Sequence, residues 1–301
     1  MNDRNLLKGL FLLGVALMVV FHLGLGGAMV AWTLSWLVTA AVSTYVLLAL
    51  GWRLRTAELA PWRAQRLMGF GFGAVVYSTL TYFTNRSLLF LIQGMLGLSA
   101  AGVFSVAVTL AEPVSNMSVA LSSAAYPRLV SADSRPREAR RFIQLAFVTA
   151  VLGSSGILLL ALILLVPVFG GAYRAAILPL PLLLLAYVVL SGREIAGLWY
   201  VHEQKSYAVP IRAAVVAFMV TLGLAALLVG RFGTVGVASG AVVGGVVLMG
   251  ILLGGLRGRG LGLGLLIVPD RSLIGPLIGV LNKRGTRRLV PWLRGSRHRA
   301  V

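Results

Sequence analysis

The chain has 301 residues, 58% of them hydrophobic and only 12% charged, with a formal net charge of +19. A soluble domain carries about twice that charged fraction, so a water-soluble globule is excluded: its core could not hold this much apolar side chain, whereas in a bilayer the outside is apolar too. Cysteine is absent, which removes both a disulfide framework and a thiolate metal site.

Eight apolar stretches recur in chain order: 9–23, 28–50, 70–92, 100–126, 143–168, 177–198, 208–229 and 234–256. A spanning helix needs about 20 apolar residues to cross roughly 30 Å of hydrocarbon. Continuous runs read as helices, because barrel strands alternate over about 10 residues. The sequence therefore predicts an all-α fold, a polytopic transmembrane helix bundle of about 8 spans.

The basic residues follow the same alternation. All but four of the 27 Lys and Arg lie in the N-terminal tail, in segments 51–67, 127–142 and 192–206, or from 257 onward. The opposite turns, 24–27, 93–99, 169–176 and 230–233, contain only Arg174 and Arg231. Cytoplasmic loops carry the excess of Lys and Arg, so both termini are expected in the cytoplasm. The positive charge is a topology signal with some attraction to anionic membrane lipids. It implies no nucleic-acid partner.

Residues 1–50 read as a transmembrane hairpin around Gly24, Gly26 and Gly27. A second span follows the first after those few residues, so the start does not read as a cleaved signal peptide. Segment 51–68 reads as a basic cytoplasmic linker, with Trp52 and Trp62 at headgroup level. Residues 69–256 read as a six-helix unit. Within it, Gly69 and Gly73 admit a close neighbour. Pro113 is expected to kink the fourth span, and 127–142 to open the fifth with a short amphipathic turn. Gly236, Gly240 and Gly244 share one face of the eighth span, which should pack closely on another helix. Residues 257–301 read as a basic cytoplasmic tail, where Leu273, Leu277 and Leu281 beside Lys283, Arg284, Arg287 and Arg288 suggest an interfacial helix.

No catalytic set is visible. His22, His202 and His298 have no metal-ligand spacing. There is no phosphate-binding Gly-Lys-Ser/Thr and no Gly-x-Ser-x-Gly. The eight acids lie mostly in loops. The reading is a protein that is not an enzyme, with no cofactor and no metal.

The chemistry rests on charges inside the spans, each costing at least about 2.5–3.5 kcal/mol near mid-membrane. They are Arg86 in the third span, Glu112 beside Pro113 in the fourth, and Arg212 early in the seventh. Arg86 has three readings: contact with an anionic substrate, an ion pair with Glu112, or snorkelling to the interface. Arg212 either contacts substrate or snorkels to the cytoplasmic interface. Glu112 either holds a proton or cation beside a carbonyl freed by Pro113, or simply sits in a kinked helix. Tyr82 and Asn85 lie next to Arg86, among Tyr77, Thr79, Thr81, Thr84 and Ser87. With Ser115, Asn116, Ser118, Ser122 and Ser123 in the fourth span, this hydroxyl content points to a wet lumen. Arg86, Asn85, Tyr82, Glu112 and Arg212 are the candidate substrate-binding residues.

Several segments carry a resemblance. Asn85-Arg86-Ser87 followed by Gly97-Leu98-Ser99-Ala100-Ala101-Gly102-Val103-Phe104-Ser105-Val106-Ala107 is similar to the oligosaccharide flippases, O-antigen flippase-like proteins, of the multidrug/oligosaccharidyl-lipid/polysaccharide exporter superfamily. Tyr126-Pro127-Arg128-Leu129, Phe169-Gly170-Gly171-Ala172-Tyr173 and Phe232-Gly233-Thr234-Val235-Gly236-Val237-Ala238 resemble further turns of that family, so the resemblance covers roughly 5–256. Asn85 stands where the family commonly has an acid. The family has twelve or fourteen spans in two lobes. Set against it, residues 1–50 look like the end of the first lobe and 69–256 like the whole second lobe. The first four helices are then lacking, as in a fragment or a shortened copy, and a membrane partner could supply them.

What the resemblance implies is a flippase in a bacterial inner membrane that translocates a polyprenyl-diphosphate-linked oligosaccharide for cell-surface polysaccharide biosynthesis. The carrier would work by alternating access, with a lipid-linked glycan as substrate and Arg86 as the leading anion contact. Other classes remain open from sequence: an exporter of drugs or another lipid precursor, a membrane-embedded enzyme using Glu194 or His202, and a non-transporting scaffold.

Overall fold

The computed structural model describes residues 24–49, 61–131, 135–204 and 206–256. Among the described residues the regular elements are all helices. The span expected over 9–23, residues 51–60 of the linker and the tail from 257 with its interfacial helix lie outside them. The chain divides into two units, 1–64 and 65–301.

In the first unit, α1 (Gly24–Ala49) is apolar along its length. Its threonines turn back on their own helix. Thr33 Oγ1 donates to the Met29 carbonyl at 2.9 Å, Thr39 to Ser35 at 2.7 Å and Thr44 to Ala40 at 2.9 Å. Hydrocarbon offers a hydroxyl no partner, so the carbonyl one turn back becomes its acceptor.

The second unit comprises α2 (Pro61–Leu96, which starts at the boundary), α3 (Leu98–Ser131), α4 (Arg135–Phe169), a 3-10 turn at Gly171–Ile177, α5 (Leu180–Leu190), α6 (Arg193–Gln204) and α7 (Ala208–Gly254). Among the described residues four stretches are long and apolar enough to cross a membrane: Leu98–Pro127, Glu138–Phe169, Leu180–Val201 and Ala208–Gly254. The protein is a multi-pass helical membrane bundle. α2 is long enough but is not one of the four, because Ser78, Thr79, Thr81, Thr84, Asn85, Arg86 and Ser87 fill its centre. α3 runs on as helix through Pro113 and Pro127.

The 47-residue α7 is two helices joined at Gly233, whose φ of 56° and ψ of −136° are non-helical. The arm 234–254 folds back on the arm 208–232. A Cβ at Gly236 would lie 2.5 Å from the Leu228 carbonyl oxygen, and one at Gly240 2.8 Å from that of Thr221. Gly244 abuts Thr221 and Ala217 in the same way. The expectation that these three glycines form one packing face holds: they let two backbones approach where any side chain would hold them apart.

Three of the four low-charge turns hold a glycine with positive φ: Gly97 at 90°, Gly170 at 91° and Gly233 at 56°. Only glycine takes such angles without strain. Together they form the turns at one end of the bundle.

Two expectations are corrected. The turn expected over 24–27 is helical, because α1 begins at Gly24. Within segment 192–206, Arg193–Gln204 is a helix rather than a loop. Its Ile195, Ala196, Trp199 and Tyr200 are buried. That three- and four-residue spacing is a helical stripe, which the polar start at Arg193 and Glu194 hides.

The interior is divided in depth. One apolar cluster gathers near the glycine turns, around Ile92, Phe104, Leu165, Leu180 and Val237. A second gathers at the opposite end, around Ile143, Ile195, Tyr200, Met249 and Leu252.

Candidate functional site

Between the two apolar clusters lies a cavity of about 60 Å³. α2 supplies Thr81, Thr84 and Asn85, α5 supplies Tyr187, α6 supplies Arg193, and the first arm of α7 supplies Thr221. Leu88, Val108 and Leu183 of one cluster and Ala214, Ala217 and Leu248 of the other close it. Each contributing helix reaches it near the middle of its span, so these polar groups sit at membrane depth. Polar groups persist there where they line a wet cavity or pair with one another.

Arg193 is the cation of the cavity, and its side chain is 17% exposed. Nε and Nη2 both donate to Oε1 of Glu194, at 3.0 and 2.6 Å. Two further buried hydroxyls, neither of them in the cavity lining, belong to the same region of the chain fold. The Tyr77 hydroxyl lies 3.9 Å from where a Cβ would stand on Gly197 of α6, and it is within electrostatic range of both Arg193 and Glu194. Ser191, 1% exposed, precedes Arg193 by two residues at the tightened turn between α5 and α6, where its N–H donates to the Val188 carbonyl. Among the described residues neither hydroxyl has a hydrogen-bond partner.

The five residues singled out from sequence are not assembled into one site. Asn85 lines the cavity. Arg86 is exposed and turned to Tyr82 on its own helix, with Nε donating to the tyrosine hydroxyl at 3.3 Å and the guanidinium carbon 5.3 Å from the ring centroid. Among the described residues Arg86 and Glu112 form no ion pair. Arg86 is engaged one turn back instead, by a contact worth about 0.5–1 kcal/mol at an exposed position. Glu112 is half-buried in α3, and both it and Arg86 lie within electrostatic range of Tyr187. Arg212 is exposed near the start of α7, away from the cavity lining, as snorkelling requires.

Residues 4–151 match the family model of a polysaccharide biosynthesis protein. That match fits an O-antigen flippase-like family and bears out the resemblance over residues 4–151, which include the motifs at 85–107 and 126–129 but not those at 169–173 and 232–238. It covers α1 to α3, the first half of α4, and with them the Thr81, Thr84 and Asn85 wall of the cavity. Arg193, Tyr187 and Thr221 lie beyond it. No curated protein matches the chain, and no solved structure does.

Sequence reasoning missed Arg193 because it stands in a segment whose charge points to the cytoplasm. The sixth apolar stretch, 177–198, already ran past it, and the buried stripe from Ile195 to Tyr200 is the signal that would have kept Arg193 inside the bundle.

Proposed function

We propose that this protein is a flippase that moves a polyprenyl-diphosphate-linked oligosaccharide across a bacterial inner membrane for cell-surface polysaccharide biosynthesis. The observation that carries the reading is a largely apolar cavity at mid-membrane with one arginine and a few hydroxyl and amide groups in its wall, inside a bundle whose residues 4–151 match a polysaccharide biosynthesis family. A lipid-linked glycan presents an anionic phosphate and a strongly hydrated head. Moving that head through hydrocarbon requires groups that replace lost water. Arg193 supplies the charge, while Asn85, Thr81, Thr84 and Thr221 supply hydrogen bonds. The lipid tail needs no such help and stays in the bilayer. A carrier of this kind needs no catalytic acid, base or cofactor.

Reconstitution in proteoliposomes with a fluorescent lipid-linked oligosaccharide tests the reading. Wild-type protein should make the head accessible to a membrane-impermeant glycosidase. Arg193→Gln should lose at least ~10-fold in rate, the scale of one charge-assisted contact of about 1.5–3 kcal/mol. Arg86→Ala should lose less, since Arg86 faces away toward Tyr82. No translocation by the wild type, or full rate in Arg193→Gln, overturns the proposal.

A further inference from the structure

We infer that α2 and α3 present a face on which a second copy of this chain docks, with Arg86 of each copy paired to Glu112 of the other about a two-fold axis along the membrane normal. The claim goes beyond the proposed function: it concerns assembly, and it stands whether or not the protein carries a glycolipid.

The face begins with charges that a single chain leaves open. Arg86 is exposed and Glu112 is half-buried, and among the described residues no ion pair engages either. Arg86 makes only its contact with Tyr82. Both charges lie within electrostatic range of Tyr187, so they share one side of the second unit. A charge at membrane depth pairs with another or borders water. α1 has neither acid nor base to offer.

The residues around the two charges suit a protein partner better than lipid. On α2, Ser78, Tyr82 and Arg86 are exposed at four-residue intervals, with Phe83 beside them. On α3, Asn116, Ala120 and Ser123 are exposed along one helical stripe, beside Met117. Helix interfaces in membranes are built from small residues that let backbones approach, and from amides and hydroxyls that bond across. Arginine, methionine and aromatic rings are enriched where two proteins meet.

Depth selects the symmetry. α2 and α3 meet at Gly97. Arg86 and Glu112 lie about 16 and 22 Å from that turn along their helices, at 1.5 Å per residue. Helical side chains lean toward the N-terminus of their helix, which for α2 is the end far from the turn and for α3 is the turn itself. Arg86 therefore reaches away from the turn, as its bond to Tyr82 shows, and Glu112 reaches back toward it. The two heads come to one depth. A two-fold axis along the membrane normal preserves depth, so each guanidinium can meet the carboxylate of the other copy. One cation and one anion on a single face make that face complementary to itself, as a two-fold interface requires.

The test is association of the full chain in phosphatidylcholine vesicles. The chain has no cysteine, so Arg141→Cys carries one dye per copy, donor on one preparation and acceptor on the other. Energy transfer is followed as the protein is diluted in lipid. Wild-type copies should keep their transfer at dilutions where a non-associating membrane protein loses it. Arg86→Glu alone and Glu112→Arg alone should each associate at least about tenfold more weakly, because each sets like charges against one another across the axis. The two variants mixed together should associate as the wild type does, since every contact then joins opposite charges. The double variant Arg86→Glu/Glu112→Arg should also associate. Recovery in the mixture shows in addition that both single variants are folded. Absence of wild-type association overturns the inference, as does wild-type association in either single variant. A double variant that associates while the mixture does not would place the pair within one chain and overturn it too. So would a monomeric wild type that retains a different membrane protein in equal amount, which would give the face to that protein. Association that follows the expected pattern without glycolipid translocation would leave this interface standing while removing the proposed function.

Discussion

Thr221 stands directly against Gly244, so that a single added carbon at position 244 would collide with the threonine hydroxyl. The contact joins the two arms of α7 at the wall of the cavity, which both residues line. Gly244→Ala should therefore destabilise the purified protein by about 1–3 kcal/mol, the usual scale of overpacking, read as a lower thermal midpoint in detergent. Adding Thr221→Ala should recover part of the loss, since it removes the hydroxyl and leaves the residue-221 Cβ at 3.0 Å and the Ala217 carbonyl at 3.1 Å from the new carbon. Equal midpoints for the single and double variants would show that the threonine is not what the alanine meets.

The three turn glycines should respond to angle rather than to crowding. A Cβ at Gly97, Gly170 or Gly233 meets nothing within 4 Å, yet each has positive φ. Alanine at Gly170 or Gly233 should cost about 1–3 kcal/mol of backbone strain. Gly71 and Gly94 of α2 are equally open but carry no such angle, and alanine there should be neutral or stabilising by up to about 1 kcal/mol. Chemical-denaturation midpoints of the four single variants would decide it. Equal losses in both groups would contradict the assignment of strain.

Tyr200 is 1% exposed, and its hydroxyl donates to the Leu252 carbonyl at 2.9 Å, tying α6 to the second arm of α7. Tyr200→Phe keeps the ring and removes the bond. The expected cost is about 0.6–1 kcal/mol, because side-chain hydrogen bonds in membrane bundles are modest. Tyr200→Ala should cost about 3–5 kcal/mol through the cavity it opens. A Phe variant as unstable as the Ala variant would mean that the ring contributes little.

The chain contains no cysteine, so single engineered thiols report sidedness cleanly. An impermeant maleimide added to intact cells should label Arg174→Cys and Arg231→Cys, beside the glycine turns. It should reach Met68→Cys and Arg141→Cys only after the membrane is opened. The reverse pattern would invert the orientation read from the basic segments.

Much of the architecture was legible in the amino acids. The runs beginning at 28, 70, 100, 143, 208 and 234 correspond to helices, and the face of Gly236, Gly240 and Gly244 packs as its spacing requires. Both readings need only local chemistry: hydrocarbon demands satisfied backbone, and close approach demands a missing side chain. The candidate site was legible only in part. Asn85 and the threonines of α2 announced a wet face, because polar groups within a span are stable only where water or another polar group meets them. The partners of Arg86 and the location of Arg193 did not announce themselves.

The sequence by itself determined that this is a multi-pass helical membrane protein, where three of its glycine turns fall, and which family residues 4–151 match, because composition and glycine geometry act over a few residues at a time. Only the tertiary structure decided which arginine meets the cavity. Arg86 and Arg193 are both charges in apolar surroundings, and choosing between them depends on how α2, α5, α6 and α7 rotate against one another, a sum over packing contacts that no single segment contains.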